Sequence, residues 1–209
     1  YFLLLEFDLS PNVPVLAQQL LLGDCGSVGN QNLTILTGLA ASADGALLLS
    51  GNFLGFTTNF YDRGNRSAYH FLQSSSSPAH FLVKYSLAGD VLTSYVDSAP
   101  RSPSLSYQLV SDRSNGACWL VHATPVADGT ALRFTATSFT SELIIKTQAA
   151  IQLPAAAASA TWDTIPEMSV FVTAAVDAAG QLCMLLRPSG TYTVVGATPE
   201  RTAEVQQAA

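Results

Sequence analysis

The stretch FLVKYSLAGDVLT, Phe81 to Thr93, is an apolar strand ending on an aromatic, a short polar turn, and a second apolar strand. Aromatic and β-branched residues broken by Ser, Gly and Asp make a β-hairpin plan. The plan recurs at Leu3 to Val15 (LLLEFDLSPNVPV) and at Arg133 to Ile145 (RFTATSFTSELII). A variable loop after each copy leads to a second recurring unit, a turn ending in Gly that opens a hydrophobic strand: SADGALLLSG from Ser42, DRSNGACWLV from Asp112 and VDAAGQLCMLL from Val176. Such self-similarity marks a repeat protein whose units bury their faces on one another.

Working outward, short apolar runs between Gly, Pro, Ser, Asn and Asp clusters predict strands, and helical periodicity is nearly absent. The strands fall at 2–8, 13–20, 35–41, 46–52, 81–86, 91–96, 106–111, 117–122, 133–138, 143–148, 170–176, 182–186 and 192–195. Several, such as LLLEF, ALLLSG, FLVKY and CMLL, are apolar on both faces. A two-layer sandwich would leave one face of each sheet polar, so the sheets are expected to be covered on both sides. A β-propeller does this without helices. The expectation is therefore an all-β partial propeller of about three blades of four antiparallel strands, not closed on itself, with a β-sandwich as the alternative. It divides into an outer half-blade at 1–22, a blade at 33–97 with a long insertion at 53–80, a blade at 105–149 and a partial blade at 168–196.

The segments ADGALLLSGNFLG and AHFLVKYSLAGDVLTSYV carry a resemblance. They resemble the SBBP-type and related β-propeller repeats at Asp44-Gly45, Gly51, Phe81, Val83, Lys84, Tyr85, Gly89 and Leu92. The chain departs from the pattern in its insertion and in the third hairpin, where Ala136 and Ser141 stand for the Lys and the Gly. The resemblance implies a propeller and an extracellular setting, and no particular activity.

Only 11% of the 209 residues are charged, against about 25% in an ordinary domain. The net charge of −6, with nine basic residues forming no stripe, argues against nucleic acid, whose phosphates need clustered Lys and Arg. No apolar run is long enough to span a bilayer as a helix, so no membrane insertion is expected. The sequence opens on Tyr1-Phe2-Leu3 without Met or a basic leader, which reads as a piece of a longer polypeptide. Of three cysteines, Cys118 and Cys183 are expected to be small buried hydrophobes, and Cys25 to be available to another part of the parent chain.

Asn32-Leu33-Thr34 and Asn65-Arg66-Ser67 are N-glycosylation sequons, which makes Asn32 and Asn65 the candidate modification sites. The insertion supplies Phe56, Phe60, Tyr61 and Tyr69 as a candidate interface or ligand loop, since loops of this length are commonly functional. Trp119 and Trp162 are further aromatics, Trp119 fitting the apolar pattern of its strand. His70, His80 and His122 show no nucleophile elbow and no metal-ligand spacing. Asp44, Asn115 and Asp177 read as turn formers before Gly, not as calcium ligands. No catalytic residue, metal or cofactor is expected. The expected role is a non-enzymatic structural or interaction module of a large extracellular or cell-surface glycoprotein assembly or filament. Its partners would be N-linked glycans and other segments of the parent chain or neighbouring subunits. A carbohydrate-binding or glycan-processing propeller is the alternative, and would need converging carboxylates, for which Glu6, Glu142 and Glu167 are poorly placed.

Overall fold

The computed structural model describes residues 2–8, 15–24, 33–54, 57–63, 65–73, 79–97, 105–112, 114, 116–125, 131–154, 171–178, 181–186, 190–195 and 201–205. Among the described residues all regular elements are strands: β1 (Phe2–Asp8), β2 (Val15–Asp24), β3 (Leu33–Ala41), β4 (Leu47–Leu54), β5 (Thr57–Asp62), β6 (Asn65–Gln73), β7 (Ala79–Tyr85), β8 (Val91–Val96), β9 (Leu105–Ser111), β10 (Cys118–Pro125), β11 (Ala131–Phe139), β12 (Ile145–Pro154), β13 (Phe171–Val176), β14 (Leu182–Leu186), β15 (Gly190–Val195) and β16 (Arg201–Val205). They form open antiparallel sheets in the orders β1-β2-β5-β6, β3-β4-β7-β8, β9-β10-β11-β12-β15-β16 and β13-β14, here the first to fourth sheets. The chain is all-β, as its sequence leads one to expect.

Three of the repeated turns share one geometry. Ser42, Ser86 and Thr140 each donate a backbone N–H to the carbonyl four residues on, at Ala46 (2.8 Å), Asp90 (2.9 Å) and Ile144 (2.9 Å). Their own carbonyls accept from Gly45, Gly89 and Leu143, which sit at φ 80°, 88° and 62°. This is a tight turn closed by a bulge whose third-on residue takes the left-handed conformation that glycine favours. Leu143, not Ser141, thus stands where Gly89 stands, and Ser138, not Ala136, where Lys84 stands. The third hairpin is thus shifted by two residues from its expected match, and the fold aligns the buried aromatics Tyr85 and Phe139.

β7 explains why the strands look apolar throughout. Successive side chains point to opposite faces, yet all seven residues of β7 are buried. Phe81, Val83 and Tyr85 enter a cluster with Phe60 and Leu72 of the first sheet, where Phe60 meets Phe81 edge-on at 5.1 Å. Leu82, on the other face, joins Leu48, Leu109, Cys118, Leu120 and Phe139 in the seam between the second and third sheets. The third sheet is covered in turn, since Val121, Ala123, Phe134 and Ala136 pack against Ala174, Leu182 and Met184 of the fourth. The four sheets are therefore stacked face to face, as the non-alternating strands require.

Three edge strands gather along one side of the stack. Ser111 Oγ of β9 donates to the Ala41 carbonyl of β3 at 2.5 Å, and the Gln108 amide brackets the backbone of Ala174 in β13, accepting from its N–H at 2.7 Å and donating to its carbonyl at 3.0 Å. Gly38 lets β3 come this close, because a Cβ there would lie 2.7 Å from Leu109 Cβ.

One expectation is overturned. Residues 53–80 are not a loop: β5 and β6 form a hairpin inside them that pairs with β2 through Gly23↔Phe60 and Asp24↔Asn59. The physical reason is twofold. β2 has an edge to satisfy, and Phe60, Tyr61 and Leu72 bring enough apolar surface to be buried at 0%, 4% and 6% exposure. The serine tract at 74–78 lies outside the described residues.

Candidate functional site

The sequence places its candidate residues on the β5–β6 hairpin, and the structure divides them. Phe60 and Tyr61 belong to the buried core and offer no contact surface. Tyr69 is a β6 residue paired in register with Tyr61. Phe56, with Asn32, Cys25 and Trp162, lies outside the described residues. The exposed ligand shelf expected of these aromatics is thus corrected for Phe60 and Tyr61, because the tract that carries them is sheet, not loop.

Asn65 is the candidate that remains accessible. It is the first residue of β6, opposite Asp62 across the hairpin tip, and is exposed. The tip is held on the β7–β8 turn beside it. Arg63, at φ 49°, donates from Nε and Nη2 to the two Asp90 carboxylate oxygens at 2.6 and 3.1 Å, and its backbone N–H donates to the Gly89 carbonyl at 2.8 Å. Val91 N–H donates to Asp62 Oδ1 at 2.7 Å, while Asp62 Oδ2 lies 3.1 Å from His70 Nε2. The Arg63 hydrogen bond holds the Asp90 carboxyl below its ordinary value. Asn65 is therefore presented at a fixed protein corner next to solvent.

A cavity of about 350 Å³ lies between the turns that precede β10 and β14, lined by Ser111, Asp112, Ser114, Val176, Asp177 and Ala178. Its two carboxylates occupy equivalent turn positions, yet each is engaged in its own turn. Asp112 Oδ1 accepts from Ser114 N–H at 2.9 Å and Ser114 Oγ at 2.6 Å, and Asp177 Oδ1 accepts from Gln181 N–H at 2.8 Å. These are turn-forming bonds. Among the described residues no group of three or more His, Cys, Asp or Glu side chains is placed to hold a metal ion.

Among the described residues the fourth sheet ends the stack. Ala174, Leu182 and Met184 face the third sheet, and the alternate residues Thr173, Ala175, Cys183 and Leu185 are exposed, Leu185 at 56%. Cys183 is accordingly on the opposite face from buried Cys118, which corrects the expectation that both are internal. Their one-residue difference in distance from the preceding Gly is the signal that separates them.

The sequence reading missed a polar seam on the other face of β7. Lys84, 5% exposed, donates from Nζ to Asp44 Oδ2 at 2.6 Å and to the Ser141 carbonyl of the third sheet at 2.9 Å. That hydrogen bond holds the Asp44 carboxyl at about 2. Four residues back along β7, His80 stacks on His122 of β10. Period-2 alternation would have put His80, Leu82 and Lys84 on one face.

Neither a family model, nor a curated protein, nor a solved structure matches the chain.

Proposed function

We propose that this chain is a non-enzymatic structural and interaction module of an extracellular or cell-surface glycoprotein assembly, built as part of an open β-propeller. The observation that carries the reading is the fourth sheet, the last of the stack among the described residues, whose outer face leaves Leu185, Cys183 and Ala175 exposed while the second and third sheets are covered on both sides. A bare apolar face continuing a stack of covered ones is a surface for another protein. A neighbouring subunit or another stretch of the parent polypeptide would supply the cover.

The gathering of β3, β9 and β13 supports the propeller form, because successive blades bring their innermost strands together around an axis. The exposed Asn65 supports the glycoprotein part, as does a surface with few ionic groups. The buried positions of Phe60 and Tyr61 weigh against a sugar-stacking platform on that hairpin.

The test is secretion of the chain from eukaryotic cells, followed by light scattering after size exclusion and by glycosidase treatment. The expected outcome is self-association that Leu185→Glu reduces, and one gel-mobility step lost in Asn65→Gln. A monodisperse, cooperatively melting monomer without glycan at Asn65 would overturn the proposal.

A further inference from the structure

Two of the chain's three histidines meet inside the seam between the second and third sheets. The rings of His80 (β7) and His122 (β10) lie 4.5 Å apart between centroids, tilted by 35°, with the residues 1% and 8% exposed. Their described surroundings hold little charge. From the end of β8, the Asp97 carboxylate lies 3.7 Å from His80 Nδ1, and the Tyr95 ring is 6.1 Å from that of His80. From β4, Asn52 is the register partner of His80. From β11, the Thr137 hydroxyl is 3.2 Å from His122 Nε2, and it accepts from the Gln148 amide of β12 at 3.1 Å. β9 contributes the apolar Leu109 to the seam, and Cys118 shares it from β10. Lys84 sits further along β7 with Asp44, beside the turn that carries Glu142.

We propose that acid opens this seam from its histidine end: two imidazolium rings at stacking distance repel, Asp97 is the one carboxylate among the described residues that faces the pair, and the second and third sheets part there. Burial and the charge of His122 hold His80 well below the ordinary histidine range, and burial holds His122 at about 4, so both rings are neutral near neutral pH. The chain's remaining histidine, His70, is exposed on β6 beside Asp62. The far end of the same seam carries the Lys84–Asp44 pair with Cys118 beside it, so exposure of Cys118 marks an opening that has spread along the whole seam. Acid therefore acts on one seam from its histidine end, and what it uncovers is the apolar surface around Leu82, Leu120 and Phe139.

Cys118 reports on this event, since it is buried in the seam and burial keeps its thiol protonated. The full chain carrying Cys25→Ser and Cys183→Ser is treated with 4,4′-dithiodipyridine at about pH 7.5 and about pH 4.5, with free cysteine as the rate reference. The expected result is labelling of Cys118 at least about tenfold faster at the lower pH after that correction, with the far-ultraviolet β signal retained. His122→Phe, which keeps a ring in the seam without a titrating nitrogen, is expected to reduce the acceleration strongly, His80 alone remaining to titrate, and His80→Asn serves where that variant does not fold. An unchanged rate would overturn the proposal. So would labelling that rises only together with loss of the β signal, or the same acceleration in either variant.

Discussion

Leu143 carries a positive φ of 62° in the position where the two sister turns use glycine, and its side chain is 5% exposed in the seam between the second and third sheets. Two terms oppose each other there. The left-handed backbone costs an L-residue about 1–2 kcal/mol, while removing a buried leucine costs about 2–5 kcal/mol. Burial wins, so Leu143→Gly is expected to destabilise the protein by about 1–3 kcal/mol despite relieving the backbone, measurable as a shift of the urea midpoint. Gly51 shows the reverse constraint. A Cβ there would strike the Ile35 carbonyl oxygen and come within 2.6 Å of Phe81 Cζ. Gly51→Ala should cost about 1–3 kcal/mol through overpacking, read from the same denaturation curve. Gly51 stands out in the sequence because glycine is rare within apolar runs, and Gly89 because it closes a polar turn. Leu143 does not, since nothing local marks a leucine whose core contact outweighs an unfavourable φ.

Among elements, β7 shows what a strand pattern can and cannot reveal. Its continuous apolar character announced two covered faces, and both are covered. Which neighbour covers each face depended on a segment that looked like a loop. β5 and β6 have strand-like residues interrupted by Asn, Arg and Ser, and only pairing with the open edge of β2 makes them a sheet. That partner is far away in sequence, so no local signal could supply it. Lys84 is legible in retrospect as a charge on a face shared with Leu82. Its clamp yields a paired expectation. Lys84→Met, which replaces the buried ammonium with a side chain of similar reach, should leave stability within about 1 kcal/mol of the original. Asp44→Asn should cost about 1–2 kcal/mol, because it leaves the ammonium with the Ser141 carbonyl but no opposite charge, and less than for a fully buried pair because half of the carboxylate faces water. Thermal melts of both variants at neutral pH check the order.

For the whole molecule, the histidine pair couples stability to pH with a definite sign. His122 binds its proton at about 4 in the folded protein and at about 6.5 when unfolded, so the unfolded chain takes up more protons between those values. Stability is full above about pH 6.5 and falls as pH drops toward 4, by about 3 kcal/mol at 1.36 kcal/mol per pH unit. His80 adds to the loss in the same direction. Denaturant midpoints measured across this range should fall steadily, and a flat profile would contradict the buried, neutral state of the pair. The stacking of sheets could be read from composition and repetition, whereas the meeting of two histidines 42 positions apart could not, because it depends on how far one sheet is turned over the next.

The β5–β6 hairpin has a last consequence. It leaves the chain between β4 and β7, which are themselves neighbours through Phe53↔Ala79 and the pairs beyond, yet it belongs to the sheet of β1 and β2. The first two layers are interlocked through this excursion and should assemble as one cooperative folding unit. A protease cut within 63–78 would nick the polypeptide without releasing either layer, and the two pieces should part only when both layers melt together.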